Sequence, residues 1–450
     1  MKKIKLLLEK ILLTTFLFLS FFASAKVNVS LDDPKISYDG VYYPVITPTK
    51  VTFNRHLSTM INDWESGIAG QWMNQWVTTQ TGVRVRIKTA SPTIDFKFSK
   101  RAGGGTIGAL PNNGFTVFVN GVESASFSDT TFTVNNPNPG TSNTFELTLP
   151  NLWAVDLVGI QLDDTYSLDA ISPLNKPVYV AIGNSITHGT GQYVSAAKGY
   201  PFLLAKKMDW DLHNIAVAGA TLGWSIAKNI KGKQVDYITI KIGFNDWKYS
   251  TNSLASKRTE YIKLLDSLRA YQPTAKIICV APLYSSDMSG AAPYTLQDFR
   301  NMVIDVVTAK MQEENNLCLL IGTEFSDASM LASGDPTHLS EYGASKLADA
   351  LYTRINDCGY AATTQIIDNA QLKLRVVGIN ASGVQVYSEK QGEYNLTVFS
   401  ADGKLMLTKQ VSLSKGENKI SLEEYQLSSG LYLIKLQNQT DSCFAKLGLN

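Results

Sequence analysis

The chain has 450 residues, too many for one average domain, so roughly two to four domains are expected. With 44% hydrophobic and 18% charged residues it has the balance of a globular protein with ample core material, not of a disordered one. Its 41 basic and 39 acidic residues leave it nearly neutral, which gives no electrostatic case for nucleic acid as a partner.

The first segment reads as an export signal. Lys2, Lys3 and Lys5 make a basic start, and Ile11–Phe22 is an apolar run containing Thr14, Thr15 and Ser20. Ala23, Ser24 and Ala25 then match a small-residue cleavage site, so residues 1–25 are expected to be cut off after Ala25. A retained anchor is the alternative, and the shortness of the run weighs against it. Cleavage removes four lysines and one glutamate and leaves 37 basic and 38 acidic residues, a net charge of −1. No second apolar run is long enough to span a bilayer, so no integral membrane span is expected in the mature chain.

Residues 26–172 read as a β-sandwich domain. Val83–Lys88, Ile94–Phe98, Phe115–Gly121, Phe132–Val134 and Phe145–Leu149 alternate apolar and polar residues, with turn formers at Gly103–Gly105, Pro111–Gly114 and Asn135–Gly140. The region holds Trp64, Trp72, Trp76 and Trp153. Core filling accounts for any one of them; a platform for stacking sugars is the functional alternative.

At Val178 the rhythm changes. Buried strands are expected at Val178–Ile182, Leu212–Val217, Tyr237–Ile242, Lys276–Val280 and Leu317–Ile321. Helices are expected near Tyr200–Met208, Leu222–Ile230, Leu254–Ala270, Leu296–Glu314 and Ser340–Ile355. Strands alternating with helices imply an α/β unit, a parallel five-stranded sheet covered on both faces, spanning about residues 173–360. Residues 361–371 read as a linker, and the alternation of residues 372–450 as a small β-sandwich.

Four stretches of the α/β unit carry possible chemistry. Gly183 breaks the first buried run, and Asn184 and Ser185 follow it at the sheet rim, where open α/β sheets bind ligands. Ser185 is either a nucleophile or a helix cap. Gly219 follows the second strand, and Asn245 and Asp246 follow the third; a backbone N–H and an amide there suit an oxyanion, though each stretch alone is an ordinary turn. His338 lies before the last helix with Asp335 three residues earlier, a spacing at which the carboxylate can hold the ring or merely cap the helix. All four stretches would meet at one rim. Asn184, His188, Trp224, Asp246 and Trp247 are possible pocket residues by their nearness to these turns.

Cys279, Cys318, Cys358 and Cys443 lack close metal-ligand spacing. Cys279 and Cys318 sit in apolar runs and read as buried residues; a disulfide is allowed in an exported protein but not required.

The stretches GNSIT, AVAGA, GFND and DPTH, in that order, resemble the four motif blocks of the SGNH (GDSL-like) hydrolases. The resemblance implies a three-layer α/β/α, flavodoxin-like domain with a Ser185–His338–Asp335 triad. It also implies an oxyanion hole made by the N–H groups of Ser185 and Gly219 and the side chain of Asn245, with no metal and no cofactor. The family usually has aspartate before the serine; here that residue is Asn184, which implies tuning, not loss, of activity. GVRVRIKTASP, GFTVFVNG and LTLPNLWAVDLVGIQL resemble the jelly-roll-like β-domain that precedes the catalytic unit in some carbohydrate esterases of this family. YNLTVFSADGKLM, GLYLIKL and AKLGL resemble the sorting domain of type IX secretion, with a carbohydrate-binding sandwich as the alternative.

Together these imply a secreted or cell-surface serine esterase, exported through the periplasm. It would act on an acetylated polysaccharide or oligosaccharide and meet the secretion machinery through its C-terminal domain. A lipid esterase or thioesterase of the same fold, and a non-catalytic surface carbohydrate-binding protein, stay open at this point.

Overall fold

The computed structural model describes residues 25–69, 74–101, 114–191, 195–357, 374–380, 383–400, 405–422, 425, 430–438 and 442–449. The expected signal segment up to residue 24, Trp72, the expected turn at Gly103–Gly105, residues 111–113, Cys358 and the expected linker at 361–371 lie outside the described residues. The chain divides into two compact units, Met1–Cys358 and Gly359–Asn450.

The first unit begins with two antiparallel sheets. One orders Val45–Thr47, Lys50–Thr52, Val155–Asp163, Thr93–Lys100 and Thr131–Asn135, with Lys26–Val29 also paired to Val155–Asp163. The other orders Ser37–Asp39, Arg84–Thr89, Asn143–Thr148, Phe115–Val119 and Val122–Phe127. Period-two alternation sends Ile94, Phe96 and Phe98 from one sheet and Val85, Ile87, Phe145 and Leu147 from the other into one shared core. This is the expected sandwich. The sequence reading missed Val155–Asp163 as a strand, because a register shift between Leu157 and Gly159 interrupts its alternation.

The α/β part has five parallel strands: β1 (Val178–Gly183), β2 (Asp211–Asn214), β3 (Tyr237–Lys241), β4 (Lys276–Val280) and β5 (Leu317–Leu320). Their order is β2-β1-β3-β4-β5. The helices are α1 (Ser185–His188), α2 (Tyr200–Met208), α3 (Phe244–Tyr249), α4 (Leu254–Tyr271), α5 (Leu296–Lys310) and α6 (Glu341–Asp357). Alternate residues of β1 face opposite cores. Val180 and Ile182 pack with Leu264 and Leu268 of α4 and Val303 and Val307 of α5. Tyr179 and Ala181 pack with Leu204 of α2 and Leu347 and Leu351 of α6. The expected three-layer fold is therefore present.

Two expected elements differ. The helix at Leu222–Ile230 is a 3-10 segment over Trp224–Ile230. The second strand stops at Asn214, although the Ile215 and Val217 N–H groups still bond the carbonyls of Ala181 and Gly183.

The sandwich and the α/β part share a polar seam. Arg84 pairs with Asp211. Arg55, fully buried, donates to the carbonyls of Thr79 and Trp76 on one side and of Asn214 and Ala216 on the other, at 2.7–3.0 Å. Of the cysteines, Cys279 is a free buried thiol and Cys318 is disulfide-bonded, so its apolar run concealed a covalent role.

The second unit has a three-stranded sheet, Leu374–Asn380, Gly383–Ser388 and Gly416–Ser421, and a four-stranded one, ordered Leu405–Leu413, Gly392–Ser400, Gly430–Gln437 and Ser442–Leu449. Val384, Val386 and Ile420 meet Leu396, Val398 and Ile434 in its core. Among the described residues, no helix is long and apolar enough to cross a membrane.

Candidate active site

β1 delivers its carboxyl end to Asn184, whose side chain caps α1 by accepting the Ile186 N–H at 3.4 Å. Ser185 is the first residue of this one-turn helix. So short a helix cannot hold itself, and its last carbonyls are taken up from outside. Asn214 Nδ2 donates to Thr187 O at 2.8 Å, Thr81 Oγ1 to His188 O at 2.8 Å, and Asn151 Nδ2 to His188 O at 3.2 Å and Gly189 O at 3.0 Å. The serine therefore rests on a turn gripped partly by the sandwich.

The loop before α6 brings His338 to it. A bridge between Leu331 and Leu339 closes this loop, and Ala332 N donates to His338 O at 2.8 Å. Gly191, just past α1, lies at φ +100°, and a Cβ there would sit 2.3 Å from Leu339 O and 3.3 Å from His338 Cβ. Only glycine lets the two loops approach this closely. His338 Nε2 lies 2.8 Å from Ser185 Oγ, and His338 Nδ1 lies 2.7 Å from Asp335 Oδ2. The other oxygen of Asp335 accepts the N–H groups of Thr337 and His338, each at 2.8 Å. Burial pushes the Asp335 carboxyl up, but the hydrogen bonds from the ring and backbone of His338, with the ring's charge, outweigh it and hold the group at about 2. Asp335 is thus an acceptor that fixes the ring with Nε2 turned to the hydroxyl.

Gly219 and Asn245 stand on the turns after β2 and β3, the strands flanking β1. Gly219 sits at φ +86°, inside a turn closed by Ala220 N donating to Val217 O at 3.0 Å. Asn245, buried at the start of α3, donates through Nδ2 to Ala220 O at 2.8 Å. An amide nitrogen has two hydrogens, so one remains for another acceptor.

The remaining pocket candidates are placed otherwise. Asn184 is buried as the cap of α1. Asp246 is fully buried, where it accepts the Leu222 N–H and pairs with Lys257 Nζ at 2.8 Å. His188 points its Nε2 at Thr79 Oγ1, 2.7 Å away, and sets its ring edge-on to Trp76. Burial and the nearby Arg55 charge keep it neutral, well below the ordinary histidine range. His188 therefore belongs to the seam, which corrects its reading as a pocket residue: its position in a one-turn helix puts it on the face away from the capped end. Trp247 is buried against Phe244 and Gly290. Trp224 is half-buried, with Lys228 Nζ and Lys263 Nζ over its ring at 4.8 and 3.8 Å.

Three features of the site escaped the sequence reading. Arg55 and Asn151 carry no local signal, since their partners lie far along the chain. The segment after β4 straps the site: Ser285 Oγ and Ser286 N donate to Pro336 O, while Lys248 of α3 bonds Ser289 and Asp287. Lys241 had a signal, a lone charge in the apolar run YITIKIG. It is fully buried at the end of β3, with Nζ donating to Asn184 Oδ1 at 3.4 Å, and burial with the neighbouring Arg300 charge brings it down to about 7.

The GDSL-like Lipase/Acylhydrolase family matches residues 181–346, and the Secretion system C-terminal sorting domain matches residues 379–450. No curated protein matches the chain in sequence. Among solved structures, the salicylyl-acyltransferase SsfX3 from a tetracycline biosynthetic pathway is similar over 74% of this chain and 98% of its own, at 19% identity and a TM-score of 0.64. A family two carbohydrate esterase from Cellvibrio japonicus is similar over 74% and 98%, at 16% identity and a TM-score of 0.51. The acetyl xylan esterase Est2A from the rumen bacterium Butyrivibrio proteoclasticus is similar over 74% and 98%, at 14% identity and a TM-score of 0.50. At these identities the likeness is one of fold. Residues 181–346, with their four turns at one sheet edge, are a domain of the GDSL-like lipase/acylhydrolase family, and residues 379–450 are a secretion-system sorting domain.

Proposed function

We propose that the chain is an exported serine esterase that removes O-acetyl groups from a polysaccharide or oligosaccharide. The observation that supports it is the continuous relay from Ser185 Oγ through the His338 ring to Asp335, with both links under 3 Å. Ser185 Oγ attacks the ester carbonyl carbon as His338 Nε2 takes its proton. The tetrahedral oxyanion accepts hydrogen bonds from the N–H groups of Ser185 and Gly219 and from Asn245 Nδ2. His338 returns the proton to the sugar oxygen as the C–O bond breaks, leaving acetyl-Ser185. Water, deprotonated by His338, then attacks this acyl-enzyme; the acyl C–Oγ bond breaks, acetate leaves, and His338 returns the proton to Ser185 Oγ. Asp335 stays ionised throughout and stabilises the imidazolium.

The sugar substrate is favoured by the β-sandwich packed onto the catalytic part and by the similar structures of a family two carbohydrate esterase and an acetyl xylan esterase. The sorting domain favours a secreted or surface location. The test is acetate release from acetylated xylan and pectin, with Ser185→Ala as control. Release abolished in the variant supports the reading. Activity on long-chain esters alone replaces it with a lipid esterase, and glycan binding without any turnover replaces it with a binding protein.

A further inference from the structure

Three of the four tryptophans near the N-terminus lie among the described residues, and they part company. Trp76 is buried at 6% exposure, Trp153 is half-buried under Lys100, and Trp64 stands 79% exposed. Leaving an indole in water forgoes one of the largest apolar burials a side chain offers. Yet the backbone that carries it is firmly anchored. Trp64 opens the 3-10 turn Trp64–Ser66, capped by Asp63, whose carboxylate accepts from Glu65 N at 3.0 Å, Ser225 Oγ at 2.8 Å and Lys228 Nζ at 3.2 Å. Ser66 Oγ lies within hydrogen-bond distance of two carbonyls, Met60 O at 3.0 Å and Asp63 O at 2.6 Å.

This turn is seated on the proposed oxyanion loop. Thr221 N donates to Gly67 O at 3.0 Å, and a Cβ on Gly223 would lie 2.2 Å from Gly67 N, so the two backbones touch. Thr221 is two residues past Gly219. The chain from Thr221 to Gly219 spans at most about 7 Å, and from Gly67 to Trp64 at most about 11 Å. The exposed indole is therefore within a few linked sugar units of the reacting carbonyl. Glu65, the next residue in the chain, pairs at 3.5 Å with Lys263, which lies over the Trp224 ring; each is about half exposed (58% and 50%) and offers an acceptor or a donor for hydroxyl groups.

We propose that Trp64, with Glu65 and Lys263, forms a glycan subsite that stacks a pyranose ring of the polymer whose acetyl group lies at Ser185. The inference rests on the esterase reading above and names where its polymer is held. It makes Trp64 a specificity residue contributed by the connection between the strands Lys50–Thr52 and Arg84–Thr89, outside the chemistry itself.

The test compares wild type, Trp64→Ala and Trp64→Phe on acetylated xylan and on p-nitrophenyl acetate. The expected result is a KM for the polymer raised about tenfold in Trp64→Ala, kcat within twofold, partial rescue by Trp64→Phe, and unchanged kinetics on the small ester. An unchanged polymer KM overturns the proposal, as does an equal loss on both substrates, which would mark a structural role. Retention in xylan-containing native gels, measured in a Ser185→Ala background, decides the matter without turnover. Weaker retention on adding Trp64→Ala supports the subsite, and equal retention or none overturns it. If wild type cleaves the small ester but no acetylated glycan, the substrate reading fails while the gel result still judges the subsite.

Discussion

Asp246 accepts the Leu222 N–H on both carboxylate oxygens, at 3.2 and 2.9 Å, and so binds the turn after β3 to the turn after β2. These are the turns of Asn245 and Gly219. Lys257 Nζ, itself buried, completes the clasp from α4 at 2.8 Å. Replacing Asp246 with alanine leaves the buried Lys257 ammonium paired only with Glu260, at 3.0 Å, and frees the loop. The expected cost is about 1.5–3 kcal/mol in denaturant unfolding, with a drop in kcat that Asp246→Asn only partly restores. A variant as stable as wild type would show that the clasp is not needed.

Asn245→Ala should lower kcat by about a hundred- to a thousandfold and leave KM nearly unchanged, because an oxyanion donor acts on the transition state. The loss of the bond to Ala220 O is a separate structural effect, visible as a modest fall in melting temperature. Kinetics and melting on the same preparation separate the two. A KM effect without a kcat effect would remove Asn245 from the oxyanion role.

Asp335→Asn should cost about 10⁴ in kcat by leaving the His338 ring in the wrong tautomer. The same carboxylate links stability to pH. Its folded value of about 2 is depressed below the unfolded carboxylate value of 3.8, so its contribution is full above the latter and fades as pH falls through the former. Acid unfolding curves of wild type and Asp335→Asn should therefore converge toward pH 2. Curves that stay parallel would contradict the linkage.

Lys241 runs the opposite experiment. Its folded value, near 7, lies below the unfolded 10.5, so between these values the unfolded chain holds a proton that the folded one has shed. Stability therefore gains from this residue as pH rises across that window, and the penalty of the buried charge is complete below it. Lys241→Met removes the penalty, so the variant should melt higher than wild type at pH 6, with the gap shrinking toward pH 10. A gap independent of pH would mean that the ammonium is compensated.

Much of this was legible along the chain. Period-two alternation marked five of the eleven sandwich strands, and continuous apolar runs marked all five parallel ones. The four motif stretches were readable because glycine, serine, asparagine and histidine follow strands of a single sheet, which must present them at a common edge. What escaped is tertiary in origin. The bulge at Leu157–Gly159 hides a strand by breaking its period. His188 sits three residues past the serine, but one helical turn rotates it into Thr79 and Trp76. Arg55 has acceptors up to 161 residues away, and nothing in its neighbourhood announces them.

Those acceptors bear on where the smallest working enzyme begins. Cutting the chain near residue 173 would take Arg55, Thr81 and Asn151 with it, baring the carbonyls of Asn214 and Ala216 and loosening the heel of the helix that carries Ser185. The segment that family matching delimits is thus shorter than the piece that must be inherited intact. In recombination the upstream sheets and the hydrolytic half would have to travel together, as one heritable cassette.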